Sequence, residues 1–166
     1  MSTILVAYGS RYGSTRGVAE AIAETLRSHG VEADVRPAAH VADPSRYDAA
    51  IVGGGVYASK WHPEALTFIQ RHRQALAALP TACFALGTAF VNGGEEADRQ
   101  RSALADQIRE HVGPVDIAFF AGSTAGLPFL MRLLSRLMRS PQGDHRDWAA
   151  IRGWADALAP KLQPEP

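Results

Sequence analysis

The amino-acid sequence predicts an α/β domain built on a parallel sheet with helices on both faces. Five short segments are predicted as strands, and four of them are mostly apolar, which is typical of strands that are buried on both faces. Segments with apolar residues at helical spacing lie between most of them, so strand and helix patterns alternate along the chain. The length of 166 residues suits one domain with a single core. We therefore expect one domain over residues 1–162 and a disordered tail over residues 163–166.

Glycines, prolines and polar turns mark the ends of the expected strands. The predicted strands are Thr3–Tyr8, Val31–Arg36, Tyr47–Gly53, Thr81–Leu86 and Val115–Ala121. The first helix follows the first strand and ends at Gly30, with Val18, Ile22 and Leu26 on its apolar face. The polar stretch Pro37–Arg46 is expected to be a loop.

Three more helices complete the alternation. The second is expected from Pro63 to Pro80, because proline suits a first helical turn and ends a helix that reaches it. The third places Leu104 and Ile108 four residues apart, and the last is expected over Asp147–Leu158. Five buried strands separated by helices predict a parallel sheet that is covered on both faces.

The turn between the first strand and the first helix consists mainly of small and hydroxyl-bearing residues, Ser10–Thr15. The first N–H groups of a helix lack partners and carry a partial charge of roughly +0.5, so this turn is a candidate phosphate site. A Walker A loop would need a lysine before its last Ser or Thr, and the only lysines are Lys60 and Lys161. The chain contains no Gly-x-Gly-x-x-Gly run. A turn without any ligand remains the alternative.

Composition limits the partners and the compartment. The chain carries 17 basic and 17 acidic residues, so no overall field favours nucleic acid, and none is expected as a partner. The single cysteine, Cys83, lies in an apolar run, which indicates a core position and excludes a disulfide. No metal site is expected. We see no signal peptide and no apolar run long enough to span a bilayer, so the expected location is the cytoplasm.

The first turn resembles the phosphate loop of the flavodoxin family, which holds the phosphate of FMN. The matching positions are Tyr8, Ser10, Gly13, Thr15, Ala19 and Ile22, whereas Ala7 departs from the family's preference for a larger apolar residue. The resemblance implies a flavodoxin-like three-layer sandwich with five parallel strands in the order 2-1-3-4-5. It also implies FMN as the cofactor. The implied phosphate contacts are Ser10, Arg11, Tyr12, Gly13, Ser14 and Thr15.

In that strand order a ligand lies outside the carboxyl ends of strands one and three, so the next two strand-end loops complete the expected site. The implied contacts after the third strand are Gly54, Gly55, Val56, Tyr57, Ala58 and Trp61. Those after the fourth strand are Gly87, Thr88, Ala89, Phe90 and Gly93. Tyr57 or Trp61 would stack on the flavin ring, although Trp61 equally suits an apolar contact with the next helix. Phe90 is a further candidate for stacking or for the core, and His62 is expected to start the helix rather than to donate a proton.

Several features resemble the flavodoxin-like protoporphyrinogen dehydrogenases, which oxidise a porphyrinogen with FMN and pass electrons to a membrane quinone. Arg11 and Arg16 bracket the phosphate loop, Tyr57 and His62 lie in the second loop, and Gly143–Trp148 precedes the last helix. The resemblance implies an FMN-dependent oxidoreductase that acts on a porphyrinogen-like or quinol-type substrate, with a quinone or a redox protein as acceptor. Two alternatives stay open, namely an electron carrier without its own substrate and a flavin-free interaction module. The segment after the fourth strand is short and acidic here, whereas the branch has a long basic insert.

The segment Leu127–Arg139 has no counterpart in a minimal flavodoxin. Arg132, Arg136 and Arg139 fall at positions i, i+4 and i+7, and leucines and methionines occupy most of the remaining positions. This pattern predicts a basic amphipathic helix that contacts a membrane or a partner. The alternative, which we favour from the sequence, is a structural helix that packs over the sheet edge with solvated arginines. The oligomeric state is left open.

Overall fold

The sheet has five parallel strands and one short antiparallel strand in the computed structural model, which describes residues 2–163. Its strands are β1 (Thr3–Gly9), β2 (Glu32–Pro37), β3 (Ala49–Tyr57), β4 (Lys60–Trp61), β5 (Thr81–Gly87) and β6 (Asp116–Ala121). The parallel strands follow the order β2-β1-β3-β5-β6, with β4 paired to β3 outside this path. The predicted order is therefore confirmed, and the added β4 shifts the numbering. Of the predicted tail, residues 164–166 lie outside the described residues.

Six α-helices flank the sheet within residues 2–163. They are α1 (Ser14–Ser28), α2 (Pro63–Arg71), α3 (Arg73–Ala77), α4 (Glu95–Arg109), α5 (Phe129–Leu137) and α6 (Trp148–Leu162). The predicted second helix is divided at His72, whose φ of −105° and ψ of 24° leave the helical region. The last helix runs four residues further than expected, through Pro160.

Two apolar cores lie on opposite faces of the sheet and make the molecule three-layered. The first joins apolar residues of α1 and α6 to the sheet and contains Ile22, Leu26 and Ile151. The second joins α2, α3 and α4 to the other face and contains Ile69 and Ile108. Each layer is apolar on the side that faces the sheet, as the alternation of strands and helices predicts.

Strand β1 lies at the centre of the sheet and is paired on both sides. Val6 stands opposite Val35 of β2 and Ile51 of β3. Successive side chains of a strand point to opposite faces, and accordingly Val6 belongs to the core under α1 and α6 whereas Leu5 belongs to the core under α2 to α4. This register directs the end of β1, and with it the first turn, to the carboxyl edge of the sheet.

Helix α5 departs from our favoured interpretation of the segment Leu127–Arg139. No residue of α5 is buried, so the expectation that its leucines pack over the sheet edge is wrong. An amphipathic pattern indicates that a helix has an apolar face, but it does not indicate what covers that face. Within residues 2–163, no helix has the length and apolarity needed to cross a membrane.

Candidate functional site

The first turn leaves the N-terminus of α1 open. Gly13 precedes the helix with φ of 87°, a left-handed conformation that glycine adopts without steric cost. Its N–H donates a hydrogen bond to Ser10 Oγ at 2.9 Å, which holds the turn. No side chain within residues 2–163 caps α1, and its first turn contains no acidic residue. The helix therefore presents free amides and positive potential at the carboxyl edge of the sheet.

Thr15 has the feature that most directly indicates a ligand at this turn. Its side chain is 1% exposed, and Thr15 Oγ1 finds no hydrogen-bond partner within residues 2–163. A buried hydroxyl without a partner costs about 1–3 kcal/mol. An anion at the N-terminus of α1 would accept from this hydroxyl and from the free amides together. The residues at this turn therefore fit a phosphate group.

Arg146 joins the loop before α6 to this turn, and the sequence analysis missed it. Its guanidinium donates to both carboxylate oxygens of Asp144 at 2.9 and 2.7 Å, and to the Ser14 carbonyl oxygen at 3.2 Å. It also lies 4.7 Å from the ring centroid of Trp148. The hydrogen bonds from Arg146 hold the pKa of the Asp144 carboxyl below its usual value. The only sequence signal was the Gly143–Trp148 stretch.

The second predicted loop is a hairpin rather than a loop. Strand β3 continues to Tyr57, and Val56 and Tyr57 pair with Trp61 and Lys60 of β4. Ala58 and Ser59 form the two-residue turn, with φ of 50° and 62°. Left-handed conformations cost a residue with a side chain roughly 1–2 kcal/mol, so this turn stores backbone strain next to the candidate site.

Trp61 and Phe90 lie in the core and not on a ligand surface. Trp61 is 2% exposed, and its Nε1 donates to the Phe84 carbonyl oxygen at 3.2 Å. Phe90 packs edge to face on Phe119, with ring centroids 5.4 Å apart. The burial of both rings favours the core alternative for each of them over stacking on a flavin. The same aromatic side chains suit a core or a ring contact, and only their packing distinguishes the two.

Tyr57 remains available at the site. It is 37% exposed, and its ring meets the His62 ring at a centroid distance of 5.8 Å. Burial of the rest of the ring raises the pKa of its phenol. Arg11 influences both Tyr57 and His62 electrostatically, so the first turn and the hairpin face each other.

His62 starts α2, as expected. Its Nδ1 accepts a hydrogen bond from the Glu64 N–H at 3.1 Å, which is the role of an N-cap residue. The proton of the neutral imidazole therefore lies on Nε2. Burial lowers the pKa of His62, because it penalises the charged form; Arg11 lowers it further and Glu64 opposes the shift.

A pH-dependent stability follows from His62. As pH falls below about 6.5, the unfolded chain takes up a proton that the folded state resists, so the free energy of unfolding decreases until pH reaches the folded pKa. His72 has a lowered pKa as well and acts in the same direction. We expect His62→Asn, which keeps a capping acceptor, to reduce the loss of stability between about pH 7.5 and pH 5.5 in urea unfolding. An unchanged pH dependence in this variant would contradict the assignment.

The third loop follows β5 at the same edge. Thr88, Ala89 and Phe90 form a single turn of 3₁₀ helix directly after Gly87, and Gly93 is exposed with open space around it. The carboxyl ends of β1, β3 and β5 are neighbours in the parallel sheet, so the three predicted loops share one edge. Within residues 2–163, no group of three or more His, Cys, Asp or Glu side chains could hold a metal ion.

The family follows from comparison with known proteins. The flavodoxin domain model matches residues 5–148, so the chain belongs to the flavodoxin domain family. The solved structures agree with this fold. A flavodoxin of Streptococcus pneumoniae TIGR4 is similar with a TM-score of 0.62 at 17% identity, and covers 97% of this chain and 100% of its own. The apo form of an NADH:FMN oxidoreductase is similar with a TM-score of 0.65 at 14% identity, over 100% of this chain and 92% of its own.

Two relatives are similar in sequence over part of the chain. Protoporphyrinogen IX dehydrogenase [quinone] of Escherichia coli K12 is 26% identical over 84 residues, which is 49% of this chain and 46% of that protein. NAD(P)H dehydrogenase (quinone) of Paraburkholderia phymatum is 32% identical over 123 residues, which is 58% of this chain and 61% of that protein. The match thus spans about half the length of the first relative and less than two thirds of the second.

Proposed function

We propose that this protein binds one FMN per chain and acts as an oxidoreductase. The observation that carries the proposal is the buried Thr15 hydroxyl, which has no hydrogen-bond partner within residues 2–163 and lies at the uncapped N-terminus of α1. A phosphate there would receive the hydroxyl, the free amides and the helix dipole. The family of the chain supports a flavin in this position.

Each of the three loops would contact a different part of FMN. The phosphate would be held by Ser10, Arg11, Tyr12, Gly13, Ser14 and Thr15. The ring would be bordered by Gly55, Val56, Tyr57 and Ala58 on one side and by Gly87, Thr88, Ala89 and Gly93 on the other. Gly54 contributes through packing, since a Cβ there would lie 2.9 Å from Trp61 Nε1. Tyr57 is the remaining candidate for stacking on the ring.

The flavin supplies the redox chemistry when it is bound, and the protein supplies orientation, electrostatics and exclusion of water. Tyr57 is protonated at neutral pH, as a phenol with an ordinary pKa of about 10 already is, and burial raises its pKa further, so it offers a neutral aromatic face. His62 stays neutral because its pKa is lowered, so it adds no positive charge beside the ring. Arg11 is the cation that faces both side chains.

The proposed reaction is oxidation of a reduced organic substrate with transfer of electrons to a quinone or to a redox partner protein. The names of the two sequence relatives support an acceptor of the quinone class. Porphyrinogen-like compounds, quinols and NAD(P)H are the candidate reductants. The proposed location is the cytoplasm, with contact to the inner face of the membrane, because a lipid-soluble quinone is reached from there.

An electron carrier without its own substrate is the second candidate. The similarity in fold to the Streptococcus flavodoxin over the full length of that protein supports it, although the similarity in fold to the NADH:FMN oxidoreductase over 92% of that chain supports an enzyme equally. The balanced charge of the chain favours the enzyme, since a carrier gains from a charged surface that steers it to its partner.

The test begins with titration of the flavin-free protein with FMN, followed by the quenching of flavin fluorescence. We expect saturation at one FMN per chain. The loaded protein is then mixed anaerobically with each candidate reductant and a soluble quinone, and quinone absorbance is followed. Steady turnover with one reductant supports the enzyme. Flavin binding without turnover supports the carrier, and absence of flavin binding leaves the interaction module.

A further inference from the structure

Helix α5 exposes an apolar surface that nothing in the structure covers. Leu130 and Leu137 are 74% and 75% exposed, and Phe129 and Met138 are 70% and 71% exposed. Every other large apolar side chain of α5 is also exposed. Because isolated exposed apolar residues are ordinary but a contiguous group of this kind is not, the surface indicates a contact with something outside the fold.

The apolar residues of α5 share one side of the helix. At about 100° per residue, Phe129, Leu133, Leu137, Leu130, Leu134, Met138 and Met131 follow one another over an arc of about 200°. Ser135, Arg132 and Arg136 occupy the remaining arc. Leu130 and Leu137 lie at the middle of the apolar arc and are the most exposed of the set. The helix therefore has the division expected of one that lies in a membrane interface.

The positive charge of residues 117–143 indicates a partner with negative charge. Residues 117–143 contain Arg132, Arg136 and Arg139 and no Lys, Asp or Glu, so the segment carries three positive charges in a chain of zero net charge. A second copy of the chain packed on the apolar arc would offer the arginines no opposite charge from this segment, because residues 117–143 contain no Asp or Glu. A surface of anionic phospholipids complements both the arginines and the apolar arc.

The two ends of the segment that contains α5 are hydrogen-bonded to each other next to the turn before α1. Thr124 and Gly143 exchange hydrogen bonds, with Thr124 N–H donating at 2.9 Å and Gly143 N–H donating to Thr124 Oγ1 at 2.8 Å. A Cβ at Gly126 would lie 2.9 Å from the Tyr12 carbonyl oxygen, so the first part of the segment touches the turn before α1. Helix α5 is thereby held next to the candidate FMN site.

We propose that α5 anchors the protein to an anionic bilayer, with its apolar arc inserted among the headgroups and its arginines at the lipid phosphates. The purpose of the anchor, which is to bring the flavin site to a quinone dissolved in the bilayer, rests on the proposed function. The binding of α5 to the bilayer does not. The binding itself requires no flavin.

The test is sedimentation of the full-length, flavin-free protein with vesicles of phosphatidylglycerol and phosphatidylcholine in equal parts. We expect binding at about 0.05 M salt that weakens strongly at about 0.5 M, because salt screens the arginines. Vesicles of phosphatidylcholine alone should bind at least about tenfold less. Wild-type protein that stays in the supernatant with anionic vesicles at low salt would overturn the proposal.

Two variants distinguish the contribution of the arginines to vesicle binding from that of the apolar arc. Replacement of Arg132, Arg136 and Arg139 by Gln should lower the partition coefficient at least about tenfold, and so should Leu130→Gln with Leu137→Gln. All five side chains are exposed, so the thermal transition should stay at the wild-type temperature.

A matched control replaces three exposed arginines elsewhere by Gln, namely Arg71, Arg73 and Arg109. It has the same net charge as the α5 arginine variant and should bind like wild type. Equal loss in both arginine variants would overturn the proposal. Sedimentation velocity could also overturn the proposal in favour of a second copy of the chain. This would be the result if the protein forms a concentration-dependent dimer and the double variant Leu130→Gln with Leu137→Gln abolishes that dimer.

FMN titration of the same proteins keeps the two proposals distinguishable. Vesicle binding without FMN binding would overturn the proposed function and leave the anchor. FMN binding without vesicle binding would overturn the anchor and leave the function.

Discussion

Replacement of Thr15 by Val is expected to stabilise the flavin-free protein while it weakens FMN binding. Valine keeps the shape of threonine and removes the buried hydroxyl, for which the described part of the chain holds no hydrogen-bond partner. The free energy of unfolding should rise by about 1 kcal/mol, because an unsatisfied buried polar group costs at least that much. The affinity for FMN should fall about tenfold, since a hydrogen bond to a charged phosphate is lost. Urea unfolding without FMN and fluorescence titration measure the two effects.

The matched control lies on the same helix. Thr25 also belongs to α1, but its hydroxyl donates to the Ala21 carbonyl oxygen at 2.9 Å. Thr25→Val removes a satisfied hydroxyl, so it should not raise stability, and it should leave FMN affinity unchanged. Equal effects at the two positions would contradict a phosphate role for Thr15.

Thr15→Asp tests the sign of the charge. It would place a carboxylate against the phosphate, and we expect a loss of FMN affinity of at least about tenfold, because like charges repel strongly where water is excluded. Thr67→Asp on the exposed side of α2 adds the same charge elsewhere and should have no effect. Unchanged FMN affinity in Thr15→Asp would exclude the turn as the phosphate site.

Gly53→Ala should destabilise the protein by about 3 kcal/mol, which is a large share of the stability of a typical domain. A Cβ at Gly53 would fall within the ring of Phe84, its neighbour on β5. Phe84 is fully buried, and its ring centroid lies 6.2 Å from those of both Phe120 and Trp154, so a shift of the ring would disturb these aromatic contacts. Urea unfolding of the flavin-free protein gives the effect directly.

A double-mutant cycle checks that the ring is the cause. Phe84→Leu makes room for the new methyl group, so the double variant should be less destabilised than the sum of the single variants. Gly113→Ala is the control, because nothing lies within 4 Å of the added Cβ, and its effect should stay within about 0.5 kcal/mol. Additive effects of Gly53→Ala and Phe84→Leu would exclude overpacking against this ring.

The parallel sheet could be predicted because its central strands β1, β3 and β5 are apolar and buried on both faces, and Cys83 of β5 is an example. It lies in such a run, it is fully buried, and burial raises the pKa of its thiol to about 12. The turn before α1 could be predicted for a different reason, since its small residues and the helix behind it are contiguous in sequence. Burial patterns and local turns are properties that a linear sequence carries directly.

The hairpin after β3 could not be predicted, because Ala58 and Ser59 lack the glycine or asparagine that usually marks a two-residue turn with positive φ. Trp61 was ambiguous, since an aromatic ring beside a helix suits a core and a ligand equally. Arg146 was missed because its partner, the Ser14 carbonyl, is 132 positions away. Contacts of this range depend on the assembled fold and leave no periodic trace in the sequence.

The contact between Arg146 and Ser14 also has a consequence for how the protein is made. A ribosome releases the Ser14 carbonyl 132 residues before Arg146, the side chain that donates to it. On a nascent chain the turn before α1 is thus exposed before Arg146, whose side chain contacts it, has been added. The hydrogen bond to Ser14 can therefore form only after Arg146 has been made and the segment before α6 has docked against α1.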